Sequence, residues 1–142
     1  MTRATGLRSI TGLSSIHDRA AFLSRELMSQ RNKDRVLAYV GAFNRRDLDG
    51  VCNQFADDAL IWGVLGWGKI SVARPIWNDL MESLHIHLTV EGMVGEGDTV
   101  VARYTERGTS LKAFRGFEAT GKSYEVAAME WFEIKDGLIH RR

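Results

Sequence analysis

Apolar positions recur at three- to four-residue spacing in the first part of this chain and at every second residue in most of its second half. The first pattern predicts helices. Ala21, Phe22, Leu23, Leu27 and Met28 form a short amphipathic stretch, with Ser15 or Asp18 placed to cap it. Asn32 or Asp34 caps a second helix carrying Val36, Leu37, Val40 and Phe43, which Asn44-Arg45-Arg46-Asp47 interrupts. Asp47 caps a third, short helix with Leu48, Val51, Cys52 and Phe55, ended by Ala56-Asp57-Asp58. A first strand follows from Ala59 to Leu65, in which Leu60, Trp62 and Val64 alternate with Ile61 and Gly63. Gly66-Trp67-Gly68 reads as a turn. A further helix then runs from about Ala73 or Arg74, with Pro75 in its first turn, to Leu84. Its apolar face is Ile76, Trp77, Leu80 and Leu84.

Beyond Leu84 the period becomes two. His85 to Val94 and Thr99 to Gly108 read as a hairpin joined by Gly95-Glu96-Gly97-Asp98. Leu111 to Phe117 continues the sheet, Thr120-Gly121-Lys122 turns, and Ser123 to Ile134 forms a long strand. Asp136-Gly137 is a strong hairpin signal before a last strand beginning at Leu138. Long antiparallel strands need one face covered, and the preceding helices are the available cover. The expected fold is therefore α+β, a curved sheet closing over helices with an opening at one end. The chain runs only five residues past Gly137, so a short last strand leaves part of a sheet edge either open or covered by another subunit.

Composition narrows the function classes. The 142 residues are 44% hydrophobic and 26% charged with a net charge of +1, which gives no reason to expect nucleic-acid or anionic-membrane binding. Residues 1–35 hold seven Arg/Lys against three Asp/Glu, yet without aromatic interleaving, and read as a solvated leader (1–17) before a single domain (18–142). One cysteine, Cys52, excludes an internal disulfide and a cysteine metal cluster. No apolar run reaches membrane-spanning length and no secretory h-region follows the start, so cytoplasmic residence is the expectation. Four tryptophans, three of them at Trp62, Trp67 and Trp77, demand a large core or an exposed apolar surface.

The stretch Tyr39 to Gly50 running into Phe55–Ala59 resembles the opening of the nuclear transport factor 2-like superfamily, which includes ketosteroid isomerases, SnoaL-like polyketide cyclases and limonene-epoxide-hydrolase-like proteins. Gly97-Asp98-Thr99-Val100-Val101, Arg107-Gly108, Thr120-Gly121 and Trp131 to Ile139 extend the resemblance over roughly residues 33–139. It implies a cone, or cystatin-like roll: a curved mixed sheet around three helices with a pocket at the wide end. Members often pair through the sheet, so a homodimer through that face is implied. Many SnoaL-like members continue beyond the last Ile with a strand containing Trp and an acid, where this chain reads His140-Arg141-Arg142.

Carried over residue by residue, the resemblance places an oxyanion-binding tyrosine at Tyr39 and an oxyanion-binding acid at Glu130, while the proton-shuttling aspartate of a ketosteroid isomerase falls on Gly63. The water-activating arginine of the epoxide-hydrolase-like members matches Arg103, but Thr105 stands where its following aspartate belongs. The histidine of the SnoaL-like cyclase pair falls near Ser110.

The residues themselves leave alternatives. Strand alternation puts Glu130 and Phe132 on one face, so Glu130 lines an apolar pocket, where burial would raise its pKa, pairs with Arg103 or Arg115 across the sheet, or lies on the plain surface. Tyr39 is a pocket hydroxyl or a half-buried core residue. His85, His87 and Glu91 share an expected strand face without completing a metal site. Trp62, Trp67, Trp77, Phe114 and Met129, with His87, are the candidate pocket lining, against core filling as their other role. No phosphate-binding glycine loop, nucleotide fingerprint or acyl-transfer arrangement is present, and no metal or cofactor is called for. The sequence thus reads as a pocket protein for a small apolar or polycyclic molecule. The alternative is a cofactor-independent isomerase, cyclase or epoxide-hydrolase-like enzyme using Glu130, Tyr39 and Arg103.

Overall fold

A computed structural model describes residues 12, 15–63 and 65–142 of the chain. The expected leader lies largely outside these residues, as does Val64 of the expected first strand. Helix α1 spans Ile16–Asn44, capped by Ser15, whose hydroxyl oxygen accepts from the Asp18 amide at 3.1 Å. The two helices expected here are one. No Gly or Pro separates Asp18 from Val40, and Gln30 bonds Asp34 one turn on at 2.9 Å. Asn32 does not cap a helix. Its buried amide instead donates to the Gly97 carbonyl at 3.1 Å, tying α1 to the sheet. Only the later turns of α1 bury an apolar face (Val36, Tyr39, Val40, Ala42, Phe43), while Leu23, Leu27 and Met28 are exposed.

Asp47 caps α2 (Leu48–Cys52) as expected, its carboxylate accepting from Gly50 N at 2.8 Å. Strand β1 (Phe55–Gly63) starts earlier than its pattern indicated, absorbing Phe55 and Ala56-Asp57-Asp58. The reason is non-local, because Phe55 pairs in parallel with Ile139. Within β1 Ala59 and Ile61 face inward, and Leu60 and Trp62 outward. The expected turn at Gly66-Trp67-Gly68 is a short strand, β2 (Gly66–Gly68), which puts Trp67 opposite Trp62. Helix α3 (Ile70–Leu84) begins before Ala73, where Val72 N and Ala73 N bond the Lys69 carbonyl at 2.9 and 3.1 Å. Pro75 therefore lies inside the helix rather than in its first turn, which removes one backbone bond from an exposed position.

Strands β3 (His87–Glu96) and β4 (Thr99–Thr109) form the expected hairpin, with a turn narrowed to Gly97-Asp98. Residues 110–122 are a loop carrying one isolated bridge, Phe114 to Phe117, and not the strand expected from Leu111. The Leu111 amide bonds the Ser83 carbonyl at 2.8 Å, so this loop is tied to the end of α3. Strand β5 (Ser123–Lys135) turns through Asp136 (φ 50°) and Gly137 (φ 76°) into β6 (Leu138–Arg141). Two successive left-handed residues are what a two-residue hairpin turn requires.

The sheet order is β2-β1-β6-β5-β4-β3, parallel only between β1 and β6. The short last strand is therefore central, and the open stretch of edge expected beside it lies on its longer partner, β5. It pairs with β5 only at Glu133–Lys135, so the earlier part of β5 has no partner on that side. The core fills the concave face, where Tyr39 meets Phe55 and Phe132 at centroid distances of 5.8 and 5.5 Å and Phe55 meets Trp77 at 5.3 Å. Among the described residues no helix is long and apolar enough to cross a membrane.

Candidate functional site

A cavity of about 440 Å³ lies between α1, α3 and the concave face of the sheet. That volume falls within the range of small-molecule sites. Phe43, Ile61, Ile76, Trp77, Ile86 and Leu88 supply much of its apolar wall, and Tyr39, Glu106, Glu130 and Arg142 are its polar members. Each arrives by a simple structural route. Tyr39 sits on the buried face of α1. Glu106 shares the inward register of β4 with Val100, Ala102 and Tyr104. Glu130, opposite Ala102, shares the inward register of β5 with Phe132. Arg142 follows β6, with its amide bonded to the Leu60 carbonyl at 3.1 Å and its carbonyl to Trp62 N at 2.8 Å. This backbone anchor on β1 lets the guanidinium turn inward.

The Arg142 Nη2 atom donates to Glu130 Oε1, and the two side chains are only 19% and 15% exposed. The guanidinium carbon also lies 5.7 Å from the Tyr39 ring centroid. Among the described residues, three polar atoms at this end of the cavity have no hydrogen-bond partner: Tyr39 Oη, Glu130 Oε2 and Arg142 Nε. Burial holds the Tyr39 phenol above its ordinary pKa, only partly opposed by the Arg142 charge, so the hydroxyl is a neutral donor. Glu106 accepts from the Tyr124 hydroxyl at 2.8 Å, and burial and that carboxylate push the Tyr124 phenol up. Glu130 therefore pairs with Arg142 inside the cavity, and not with Arg103 or Arg115 across the sheet.

The residues expected at the site divide between several places. Tyr39, Glu130, Trp62 and Trp77 line the cavity. Trp67 and Met129 do not. They lie with Trp62, Trp131 and Arg141 around an open groove of about 710 Å³ on the outer sheet face, with Arg141 Cζ 4.6 Å above the Trp67 ring. Arg103 is also outside the cavity. It is exposed opposite Met129, on the face away from Glu130, because it alternates with the inward Ala102 and Tyr104. It can therefore serve neither as the partner of Glu130 nor as the centre of a water-activating triad within the cavity. Arg115 stacks on Phe114 at 6.0 Å in the 110–122 loop, and Phe114 is not among the cavity residues. His87 is exposed opposite Arg107, while His85 ends α3 in a left-handed conformation (φ 46°), so the two histidines share no strand face. Glu91 accepts from the Thr105 hydroxyl at 2.6 Å. Among the described residues no group of three or more His, Cys, Asp or Glu could hold a metal ion.

Arg142 had no assigned role in the sequence reading, and the inward setting of Glu106 was also missed. Alternation with Tyr104 signals Glu106. The parity leading to Arg142 is scrambled by the register shift between Glu133 and Ile134 in the β5–β6 ladder. Gly63 lines the cavity, and among the described residues beyond its chain neighbours nothing lies within 4 Å of where a Cβ would stand.

This cone of helices and mixed sheet, with its internal cavity, defines the class, and residues 36–142 match the SnoaL-like domain. The chain belongs to that family, within the nuclear transport factor 2-like superfamily. No curated protein matches it. Among solved structures it is similar to a proposed polyketide cyclase from Xanthomonas campestris pv. campestris, at 27% identity over 80% of this chain and 87% of that one, with a TM-score of 0.70. A proposed polyketide cyclase from Silicibacter sp. is 28% identical over 79% of this chain and 85% of that one, with a TM-score of 0.65. AclR, a proposed hydroxylase from Streptomyces galilaeus, shares the fold at 22% identity over 80% of this chain and 76% of that one, with a TM-score of 0.72.

Proposed function

We propose that the chain is a cofactor-independent, cyclase-type enzyme acting on an apolar small molecule with more than one carbonyl group. The observation that carries this reading is the pairing of an unpartnered buried carboxylate oxygen, Glu130 Oε2, with an unpartnered buried phenol, Tyr39 Oη, at one apolar cavity. The polyketide-cyclase descriptions of the two neighbours at 27% and 28% identity favour this chemistry over a passive pocket. In the proposed step Glu130 Oε2 takes a proton from the carbon beside a carbonyl. The C–H electrons move into an enolate whose oxygen accepts from the Tyr39 hydroxyl. The enolate carbon attacks a second carbonyl of the same molecule, forming a C–C bond, and the resulting alkoxide takes the proton back from Glu130. No electrons are gained or lost overall.

The test is exchange of α-protons with deuterated water, followed by NMR on a panel of naphthyl and larger aryl ketones. Wild type should exceed the buffer rate, and Glu130→Gln should lose about 100-fold or more of that excess. A wild type no faster than buffer across the panel would replace this reading with that of a non-catalytic ligand pocket. The same proposal includes a homodimer through the outer sheet face in a reducing cytoplasm. It is supported by exposed Trp62, Trp67, Met129 and Trp131, an apolar surface that a monomer rarely leaves open. Sedimentation of wild type and Trp131→Glu tests this, and a monomeric wild type rejects it.

A further inference from the structure

We infer that Arg142 is a substrate-binding residue of the cavity, and that with Tyr39 and Glu130 it selects a neutral β-hydroxy ketone over a plain ketone or a carboxylic acid. The inference deepens the cyclase reading and takes its physiological meaning from it, but it concerns binding and stands on the unsatisfied atoms of the site.

Those atoms define the chemistry of a complementary ligand. Tyr39 Oη and Arg142 Nε are buried without partners, and each carries a hydrogen to donate. Glu130 Oε2 is buried without a partner and, as part of a carboxylate, only accepts. A ligand that satisfies all three offers one oxygen to the two donors and one hydroxyl to the acceptor. The donors and the acceptor are close together, since the guanidinium that carries Nε touches Glu130 and lies 5.7 Å from the Tyr39 ring centroid. The two ligand groups must therefore be only a few bonds apart, as the carbonyl and hydroxyl of a β-hydroxy ketone are. That is also the functional group formed when an enolate adds to a carbonyl, so the site fits the product of the proposed ring closure.

Charge excludes the acid. Arg142 is the one cation among the described lining residues, and Glu130 already neutralises it. A ligand carboxylate would meet Glu130 and Glu106 with no free positive charge to receive it. The apolar wall of Phe43, Ile76, Trp77 and Leu88 then asks for an aromatic or alicyclic body on the ligand.

Calorimetric titration of the purified chain at neutral pH tests this with four naphthyl probes. They are a β-hydroxy methyl ketone, the same ketone without its hydroxyl, the matching β-hydroxy carboxylate, and ethylnaphthalene with no polar group. Wild type should bind the hydroxy ketone about tenfold or more tightly than the plain ketone, because the plain ketone leaves Glu130 Oε2 unpaired, and should bind the carboxylate most weakly of the three polar probes. Arg142→Met should weaken the hydroxy ketone and the plain ketone together, by about tenfold each, because both present the carbonyl oxygen that Nε–H meets, while leaving ethylnaphthalene affinity within about twofold. A merely structural role for Arg142 would weaken all four probes together. Should Arg142→Met fail to fold, Arg142→Lys keeps a cation beside Glu130 while removing the Nε–H donor, and must weaken both ketones in the same way. Equal affinity of wild type for hydroxy ketone and plain ketone, tightest binding of the carboxylate, or ketone affinities unchanged relative to ethylnaphthalene in the variant would overturn the inference. The two readings fail separately. A wild type without exchange activity but with this ranking sinks the cyclase and keeps the binding inference, and an active enzyme with a flat ranking does the reverse.

Discussion

Replacing Arg142 with methionine leaves the Glu130 carboxylate in an apolar cavity without its counter-charge, and the size of the penalty can be bounded. Breaking a fully buried ion pair typically costs about 3–5 kcal/mol. Here the partners are 15% and 19% exposed, so the lower part of that range applies. A second bound comes from the proton. The stranded carboxyl can always neutralise itself, and doing so from an ordinary Glu value of about 4.3 costs about 3.7 kcal/mol at pH 7 and about 1 kcal/mol at pH 5. The expected destabilisation of Arg142→Met is therefore about 3–3.7 kcal/mol at pH 7 and at most about 1 kcal/mol at pH 5. The sign follows from the direction of the perturbation. In the variant the folded state raises the Glu130 pKa above its unfolded value, so the penalty is complete above the folded value and vanishes as pH falls below the unfolded one. Urea unfolding followed by tryptophan fluorescence at the two pH values measures it, with Trp77 in the core as reporter. Adding Glu130→Gln should remove most of the pH dependence. A penalty equal at pH 7 and pH 5 would refute the reasoning, since it would mean that Glu130 reaches water once Arg142 is gone.

Three further outcomes follow from other parts of the fold. Tyr39 and Tyr104 are buried and their phenols are held above the ordinary value, chiefly by burial. Above about pH 10 the unfolded chain releases protons that the folded chain keeps, so stability should fall by about 2.7 kcal/mol per pH unit for the two together, measurable by urea titration at alkaline pH. Tyr124, whose phenol is also pushed up, adds to the same fall, so Tyr39→Phe should lower the measured slope by about 1.4 kcal/mol per pH unit rather than abolish it. A Cβ at Gly95 would stand 2.7 Å from Ser29 Oγ and 3.2 Å from Lys33 Cε, so Gly95→Val should push α1 off β3 at a cost of about 1–3 kcal/mol in chemical denaturation. Gly63→Asp enters open space at the cavity, so it should fold with a loss below about 1 kcal/mol and raise the α-proton exchange rate by adding a second carboxylate to the site.

Local signals in the chain were read correctly where the structure that answers them is local. Asp47 announced α2, and Asp136-Gly137 announced the last hairpin, because a cap and a two-residue turn depend on a few adjacent residues. The inward setting of Glu130 was one of three alternatives left open by alternation with Phe132, and the registered pairing of β4 with β5 decides it. Errors arose where distant segments decide. Asn32 looks like a helix cap until its partner, Gly97, is known. Residues 56–58 look like a helix end until Phe55 is seen to pair with Ile139. Arg103 was placed by analogy with an arginine of related enzymes, while its own neighbours Ala102 and Tyr104 already assigned it to the opposite face. Arg142 was hidden for another reason: the β5–β6 ladder shifts register before reaching it, and a side chain beyond that shift cannot be assigned a face by counting.

The contrast between two kinds of buried polar group bears on what the cavity is for. Asn44 spends both ends of its amide on Leu88, donating at 2.9 Å and accepting at 2.8 Å, and so fastens the end of α1 to β3. Asn32 is similarly engaged with the turn at Gly97. These groups serve the fold, and their hydrogen bonds offset their burial. Tyr39, Glu130 and Arg142 behave differently. Each keeps one buried polar atom unpartnered, at a cost of about 1–3 kcal/mol for such a group. Folding alone gives no reason to keep them, because apolar residues of similar volume at a buried ion pair are often neutral or stabilising. The fourth unpartnered atom among the described residues, Tyr104 Oη, belongs to a core tyrosine that is not among the cavity residues. Three of four such atoms thus belong to one cavity and carry complementary chemistry, two donors and one acceptor. Random imperfection in packing would scatter them through the core without regard to type. Their concentration beside an apolar chamber supports the proposal that this cavity binds a ligand.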